Sequence, residues 1–181
     1  MRRLHAVVVL GIVGLAAAGL AIAGLNNNSS IHLAGDFEVP ARETNAQGQA
    51  IFDIADDGAS VDYRLIGSNI ENAFMAHIHC GSPTDNGGIT VWLYPSTDDV
   101  AGPLGSGRHD GVLATGTIRD ADVFDVPAST VCPGGIDDLA DVIARLQNGG
   151  AYVNVHTNDG VAPTNTGAGD FPGGEIRGNA P

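Results

Sequence analysis

From Ile31 onward the chain is a succession of short apolar alternations separated by Gly, Asp, Asn and Pro clusters, and nothing else in the sequence restricts its fold as much. A period of two sends successive side chains to opposite faces of an extended strand, so each segment reads as a strand with one buried face. Segments near 31–38, 48–55, 60–66, 72–79, 88–94, 111–118, 151–157 and 174–178 predict a mainly β domain, a sandwich or barrel of about eight strands. The second and third form a predicted hairpin, because Ala50 to Ile54 and Val61 to Leu65 alternate on either side of Asp56-Asp57-Gly58. One helix interrupts the pattern at about 137–148: Leu139, Val142, Ile143 and Leu146 share a face, Asp137 is the expected N-cap, and Gly149-Gly150 ends it. The stretches 95–110 and 158–173 lack periodicity and read as long loops at one end of the domain.

Residues 1–25 stand apart. Arg2 and Arg3 precede an apolar run from Ala6 to Leu25, with Ala21 and Ala23 spaced as in a small-residue cleavage site. The run reads as a signal peptide or, being about as long as a bilayer crossing, as an uncleaved N-terminal membrane anchor. Both readings place the rest of the chain outside the cytoplasm, secreted or at the cell surface. The expected organisation is a signal or anchor at 1–25, a polar tether at 26–30 and one β domain at 31–181.

Charge then excludes partners. Acidic residues number 21, 17 of them Asp, against eight basic residues that are all Arg. Cleavage after Ala23 leaves six arginines and a net charge of −15. Such a surface repels a phosphate backbone, which excludes sequence-independent nucleic-acid binding. It also repels anionic lipid, so membrane contact is expected only through the N-terminal segment. The Asp-rich, lysine-free composition is halophilic-like, a bias that a GC-rich genome also produces. Export makes the two cysteines informative: Cys80 and Cys132 are expected to form one disulfide in an oxidising compartment.

Six histidines remain to be placed. In Ala73-Phe74-Met75-Ala76-His77-Ile78-His79 the alternation puts both imidazoles on one strand face, opposite Phe74, Ala76 and Ile78. In Tyr152-Val153-Asn154-Val155-His156 it puts Tyr152, Asn154 and His156 opposite the two valines. Three imidazoles presented in this way suit zinc or copper, whereas calcium and magnesium take oxygen ligands. Structural histidines, hydrogen-bonded within a strand face, are the competing reading. Glu175 and Arg177 share a face of the last strand, as a fourth ligand or second-sphere partner of an imidazole, or as a buried pair that locks the strand. The Asp clusters 120–125 and 137–141 lack calcium-loop spacing and read as solvated surface. The glycine-rich 102–107 segment lacks the lysine of a phosphate loop.

Ala76-His77-Ile78-His79-Cys80-Gly81, Gly149-Gly150-Ala151-Tyr152-Val153-Asn154-Val155-His156-Thr157 and Gly173-Gly174-Glu175-Ile176-Arg177-Gly178 resemble, in order, the three signature blocks of the CHRD domain. The opening Leu33 to Pro40 is similar as well, so the resemblance spans about 33–179. Microbial members of that family mostly have no assigned reaction, and the resemblance implies none here. His77-Ile78-His79 and the later Val153-Asn154-Val155-His156 are also distantly similar to the copper half of copper/zinc superoxide dismutases. That likeness implies a Greek-key, immunoglobulin- or superoxide-dismutase-like β-sandwich, with His77, His79 and His156 as copper ligands. A zinc subsite is not implied, because residues 82–108 contain no histidine. Three functions are therefore expected as alternatives: an extracytoplasmic module holding copper, or zinc in its place; a cell-surface interaction or matrix domain, with other cell-surface proteins as partners and structural histidines; and a redox enzyme, which needs an arginine such as Arg108 or Arg177 at its mouth.

Overall fold

A computed structural model describes residues 27–181; the signal or anchor expected at 1–25 lies outside the described residues. Eight antiparallel strands make up the domain: β1 (Asn28–Ala34), β2 (Gln47–Ile54), β3 (Val61–Glu71), β4 (Ala73–Cys80), β5 (Ile89–Tyr94), β6 (Arg108–Ile118), β7 (Ala151–Thr157) and β8 (Ile176–Asn179). They form one hydrogen-bonded sheet in the order β5-β4-β7-β8-β1-β2-β3-β6. The sheet curls until its outer strands β5 and β6 meet, so it is nearly closed. The mainly β expectation thus holds, with a continuous wrapped sheet in place of two separate layers.

All eight expected strands are present, and the differences are local. β1 begins at Asn28, whose partner is Asp53, so Asn28 to Ser30 belong to the sheet and not to a tether. It ends at Ala34 because Gly35–Phe37 turn into a single 3-10 turn. The β2/β3 hairpin pairs Ile54 with Val61 around Asp56-Asp57-Gly58, as its alternation predicts. The helix α1 runs Leu139–Asn148, capped by Asp138 and not Asp137. Asp138 accepts from the Asp141 N–H, one of the donors that the first turn leaves free, while Asp141 accepts in turn from the N–H of Asp137, the residue before the cap. Leu139, Val142, Ile143 and Leu146 are the buried face of α1.

The wrapped sheet encloses one core, built from alternate residues of every strand, such as Leu33, Phe52, Leu65, Ile78, Val153 and Ile176. Burial on the outer face separates two halves. Along β2 and β3 buried and accessible residues alternate, as on a sheet facing water. Along β7 every residue is buried, and β4 is buried on both faces at His77–Cys80. Loops cover that half. Cys80 and Cys132 are bonded, with their Cα atoms 5.5 Å apart at a sequence separation of 52. This link pins the end of β4 to the segment before α1 and contributes about 3–4 kcal/mol by restricting the unfolded chain. The two long loops lie at one end, where the Gly105 N–H donates to Asn158 O at 2.9 Å.

Candidate metal centre

The register of β4 and β7 decides what the covered half can do. His77 is paired with Asn154, His79 with Tyr152, and Met75 with His156. The two strands therefore present His77, His79 and His156 on one outer face, around the same small area. The three side chains each offer a ligand nitrogen, and these nitrogens lie within 4.8 Å of one another. His77 Nδ1 is 3.0 Å from His156 Nε2. All three residues are buried, His77 at 1%, His79 at 7% and His156 at 8% exposure. A bulge between Ala73 and Met75 breaks the alternation expected of β4. Phe74 is thereby absent from the core and sets its ring edge-on to His156.

Hydrogen bonds fix which nitrogens are free. His79 Nδ1 donates to Gly87 O at 3.0 Å, and His156 Nδ1 donates to Pro172 O at 2.9 Å. A carbonyl can only accept, so each of these rings carries its proton on Nδ1 and presents the Nε2 lone pair to the site. His79 Nε2 and His77 Nε2 are buried without any partner. Burial drives the His77 imidazole down to about 2, with the His156 and then the His79 ring adding to the fall. It takes His79 to about 4, against the pull of the Gly87 bond, and it lowers His156 against the bond to Pro172. Because His156 Nε2 is a lone pair, His77 Nδ1 donates to it at 3.0 Å, and a metal ion would take the place of that proton; neutral imidazoles are the state in which histidine binds a transition metal.

The parts that orient the rings come from the covering loops. Gly87 uses both of its peptide groups, its carbonyl on His79 and its N–H on the Tyr152 hydroxyl at 3.1 Å. A side chain at this position would run into the Cys80 carbonyl. Tyr152 lies parallel to His79, with ring centroids 4.7 Å apart, and the Arg177 guanidinium sits 3.4 Å from the centre of the Tyr152 ring. Because β7 runs between β4 and β8, His79 and Arg177 flank Tyr152 from opposite sides. Arg177 also donates to Ser82 O, Asp85 O and Asn86 Oδ1, and so holds the loop that carries Gly87. Trp92 meets His77 edge-on at 4.2 Å.

Glu175 makes none of its bonds to an imidazole. It accepts from Thr44 Oγ1 at 2.5 Å, Thr157 Oγ1 at 2.6 Å and the Gly169 N–H at 2.8 Å. It is a clasp that ties three segments to the start of β8, and it forms no pair with Arg177, whose acceptors lie in loop 82–86 and at Asn179. The acceptors that orient His79 and His156 are main-chain carbonyls.

The sequence pattern of the CHRD domain matches residues 29–180, the whole of the wrapped sheet and its covering loops. The chain belongs to the CHRD family. No curated protein sequence and no solved structure matches it. Within this CHRD domain the other described histidines lie elsewhere: His32 is edge-on to Phe37, and His109 Nε2 is 3.0 Å from the Val112 carbonyl. The Asp clusters serve the backbone, since Asp120 accepts from the Leu139 N–H and Asp122 from the Arg119 N–H. Alternation had already set Tyr152 and Asn154 on the face of His156. Gly87, Pro172 and Trp92 carried no such signal, because loop carbonyls and a strand partner gain meaning only when the chain folds.

Proposed function

We propose that this CHRD domain is an extracytoplasmic module that holds one transition-metal ion through His77 Nδ1, His79 Nε2 and His156 Nε2. The observation that carries the reading is the convergence of three buried neutral imidazoles, one nitrogen of each within 4.8 Å of the others, with His79 Nε2 buried and without a partner. A buried polar atom left unpaired costs about 1–3 kcal/mol, and a bound ion removes that cost. Three nitrogen donors favour copper over zinc by the usual order of divalent affinities, with zinc the next occupant. A matrix or interaction domain without metal would leave His79 Nε2 unsatisfied. A redox enzyme would need a cationic entrance. Arg177 is fully buried, and Arg108 is paired with Asp110 at 2.7 Å in a separate cleft lined by Thr44, Glu71 and Gly169. The charge distribution therefore favours holding an ion over guiding an anion to it.

The reading is tested by metal content after purification without chelator or affinity histidines, beside a His77→Ala/His79→Ala variant. One ion per chain in the wild type and none in the variant is the expected result. Substoichiometric metal in both would remove the proposal. Export is checked separately, by locating the full chain and one lacking residues 1–25 after cell fractionation.

A further inference from the structure

Arg177 brings a permanent charge into the covered half of the sheet and leaves it without a counterion. The residue is 0% exposed, and its guanidinium donates to Ser82 O, Asp85 O, Asn86 Oδ1 and Asn179 Oδ1, four neutral acceptors. Among the described residues it makes no ion pair. Arginines buried this deeply are almost always paired with an acid. Glu38 and Asp85 act on the charge only from beyond ion-pair distance, and burial pushes Glu38 itself up to about 7. The four bonds account for the hold on loop 82–86, but they use only the edge of the guanidinium. Its face lies 3.4 Å from the centre of the Tyr152 ring, and Tyr152 stacks in turn on His79, with the two rings 3° from parallel. An unpaired cation thus stands one aromatic ring away from a histidine of the site.

We propose that the site formed by His77, His79 and His156 is selective for a singly charged ion, Cu(I), over Cu(II) and Zn(II), with the fixed charge of Arg177 as the selecting element. The inference rests on the metal reading above. The donor set is neutral: the three rings bond to one another and to the Gly87 and Pro172 carbonyls, and none of them meets a carboxylate. Nothing in the ligand set therefore cancels the charge of a bound ion, and the cost of burying an ion rises with the square of that charge. Arg177 adds a repulsion proportional to the charge, twice as large for Cu(II) or Zn(II) as for Cu(I). A guanidinium keeps its proton in proteins, so this bias is permanent.

The test measures the affinity of the full chain for Cu(I), under argon, and for Cu(II) and Zn(II), each by competition with a chelator of that ion. The wild type is expected to bind Cu(I) about 100-fold more tightly than either dication. Arg177→Gln keeps an amide donor toward the loop carbonyls and removes the charge. It is expected to shift the Cu(I)-to-Cu(II) affinity ratio about tenfold toward Cu(II), which lowers the potential of the bound copper by about 59 mV. Tyr152→Phe is the control for a merely structural role, since it is expected to weaken both copper ions alike and leave the ratio unchanged. Arg177→Met replaces Arg177→Gln if that chain does not fold. A wild type that binds Cu(II) or Zn(II) as tightly as Cu(I) overturns the selectivity, whether or not the variants fold. An Arg177 variant that keeps the wild-type ratio overturns the assignment to Arg177. A wild type that holds copper in neither oxidation state removes the metal reading and this inference with it, whereas tight Cu(II) without preference for Cu(I) removes the inference alone.

Discussion

Two clusters of buried polar side chains occupy the covered half of the sheet, and they are built in opposite ways. Around Glu175 the carboxylate receives three donors from three segments, and nothing is left over. Around His77, His79 and His156 the chain holds the outer nitrogens of two rings with carbonyls and leaves His79 Nε2 and His77 Nε2 unmatched. Burying a polar group is costly unless its bonds are replaced. The first cluster replaces them all within the chain, which makes it a structural clasp. The second does not, which is what a site prepared for a ligand looks like before that ligand is counted.

The contrast is broken most readily by substitutions that act on one cluster and spare the other. Glu175→Ala would leave three donors, two of them buried, without an acceptor, at a cost of about 3 kcal/mol, or roughly 6–12 °C in melting temperature for a domain of this size. In metal-free protein the His77→Ala/His79→Ala change is expected to lower the melting temperature by less than half as much while abolishing metal retention. Equal destabilisation by the two would place the histidines in the same structural class as Glu175. Calorimetry on both variants, with metal content alongside, measures this.

Acid sharpens the contrast next. In the unfolded chain His77 and His79 take up protons below about 6.5, whereas in the native fold burial holds them to about 2 and about 4. The unfolded state then binds more protons, so stability of the metal-free protein falls as pH drops below about 6.5, by about 1.4 kcal/mol per pH unit for each histidine. The His79 contribution ends near pH 4 and that of His77 near pH 2. Glu38 runs the other way. Burial raises it from 4.5 to about 7, so its stabilisation is full below 4.5 and is lost as pH rises through about 7. The histidines outnumber it, and urea midpoints are expected to decline from pH 6.5 to pH 4.5, more steeply in Glu38→Leu. A flat profile would mean that the imidazoles are not held neutral.

The smallest effect belongs to the support of one ring. Tyr152→Phe removes the hydroxyl that accepts from the Gly87 N–H, at a cost of about 0.5–1.5 kcal/mol. It is expected to weaken metal binding by about 10–100-fold, the usual consequence of disturbing a partner behind a ligand. Competition titrations with a chromogenic chelator read this directly.

The histidine face was legible in the sequence because strand alternation is a local rule: Ala76, Ile78, Val153 and Val155 define the inner face, and the polar side chains follow. The strand set was legible for the same reason, including both arms of the β2/β3 hairpin. The neighbourhood of β4 and β7 was not, since 70 residues separate Cys80 from Ala151 and only the register joins them. Nor was the role of Glu175. Its alternation with Arg177 suggested a shared task, whereas the fold sends one to the loop at Gly169 and the other across Tyr152 to the loop at Ser82. Which acceptor a buried side chain finds depends on loop paths that no period encodes.

The central claim is that the three buried imidazoles share one ion. Anomalous diffraction from crystals of the protein grown with copper locates that ion without reference to stability or activity. The account predicts one dominant peak within about 2.1 Å of His77 Nδ1, His79 Nε2 and His156 Nε2 together, the distance typical of metal–imidazole bonds. Peaks confined to surface carboxylates, His32 or His109, with none between the three buried imidazoles, would contradict it.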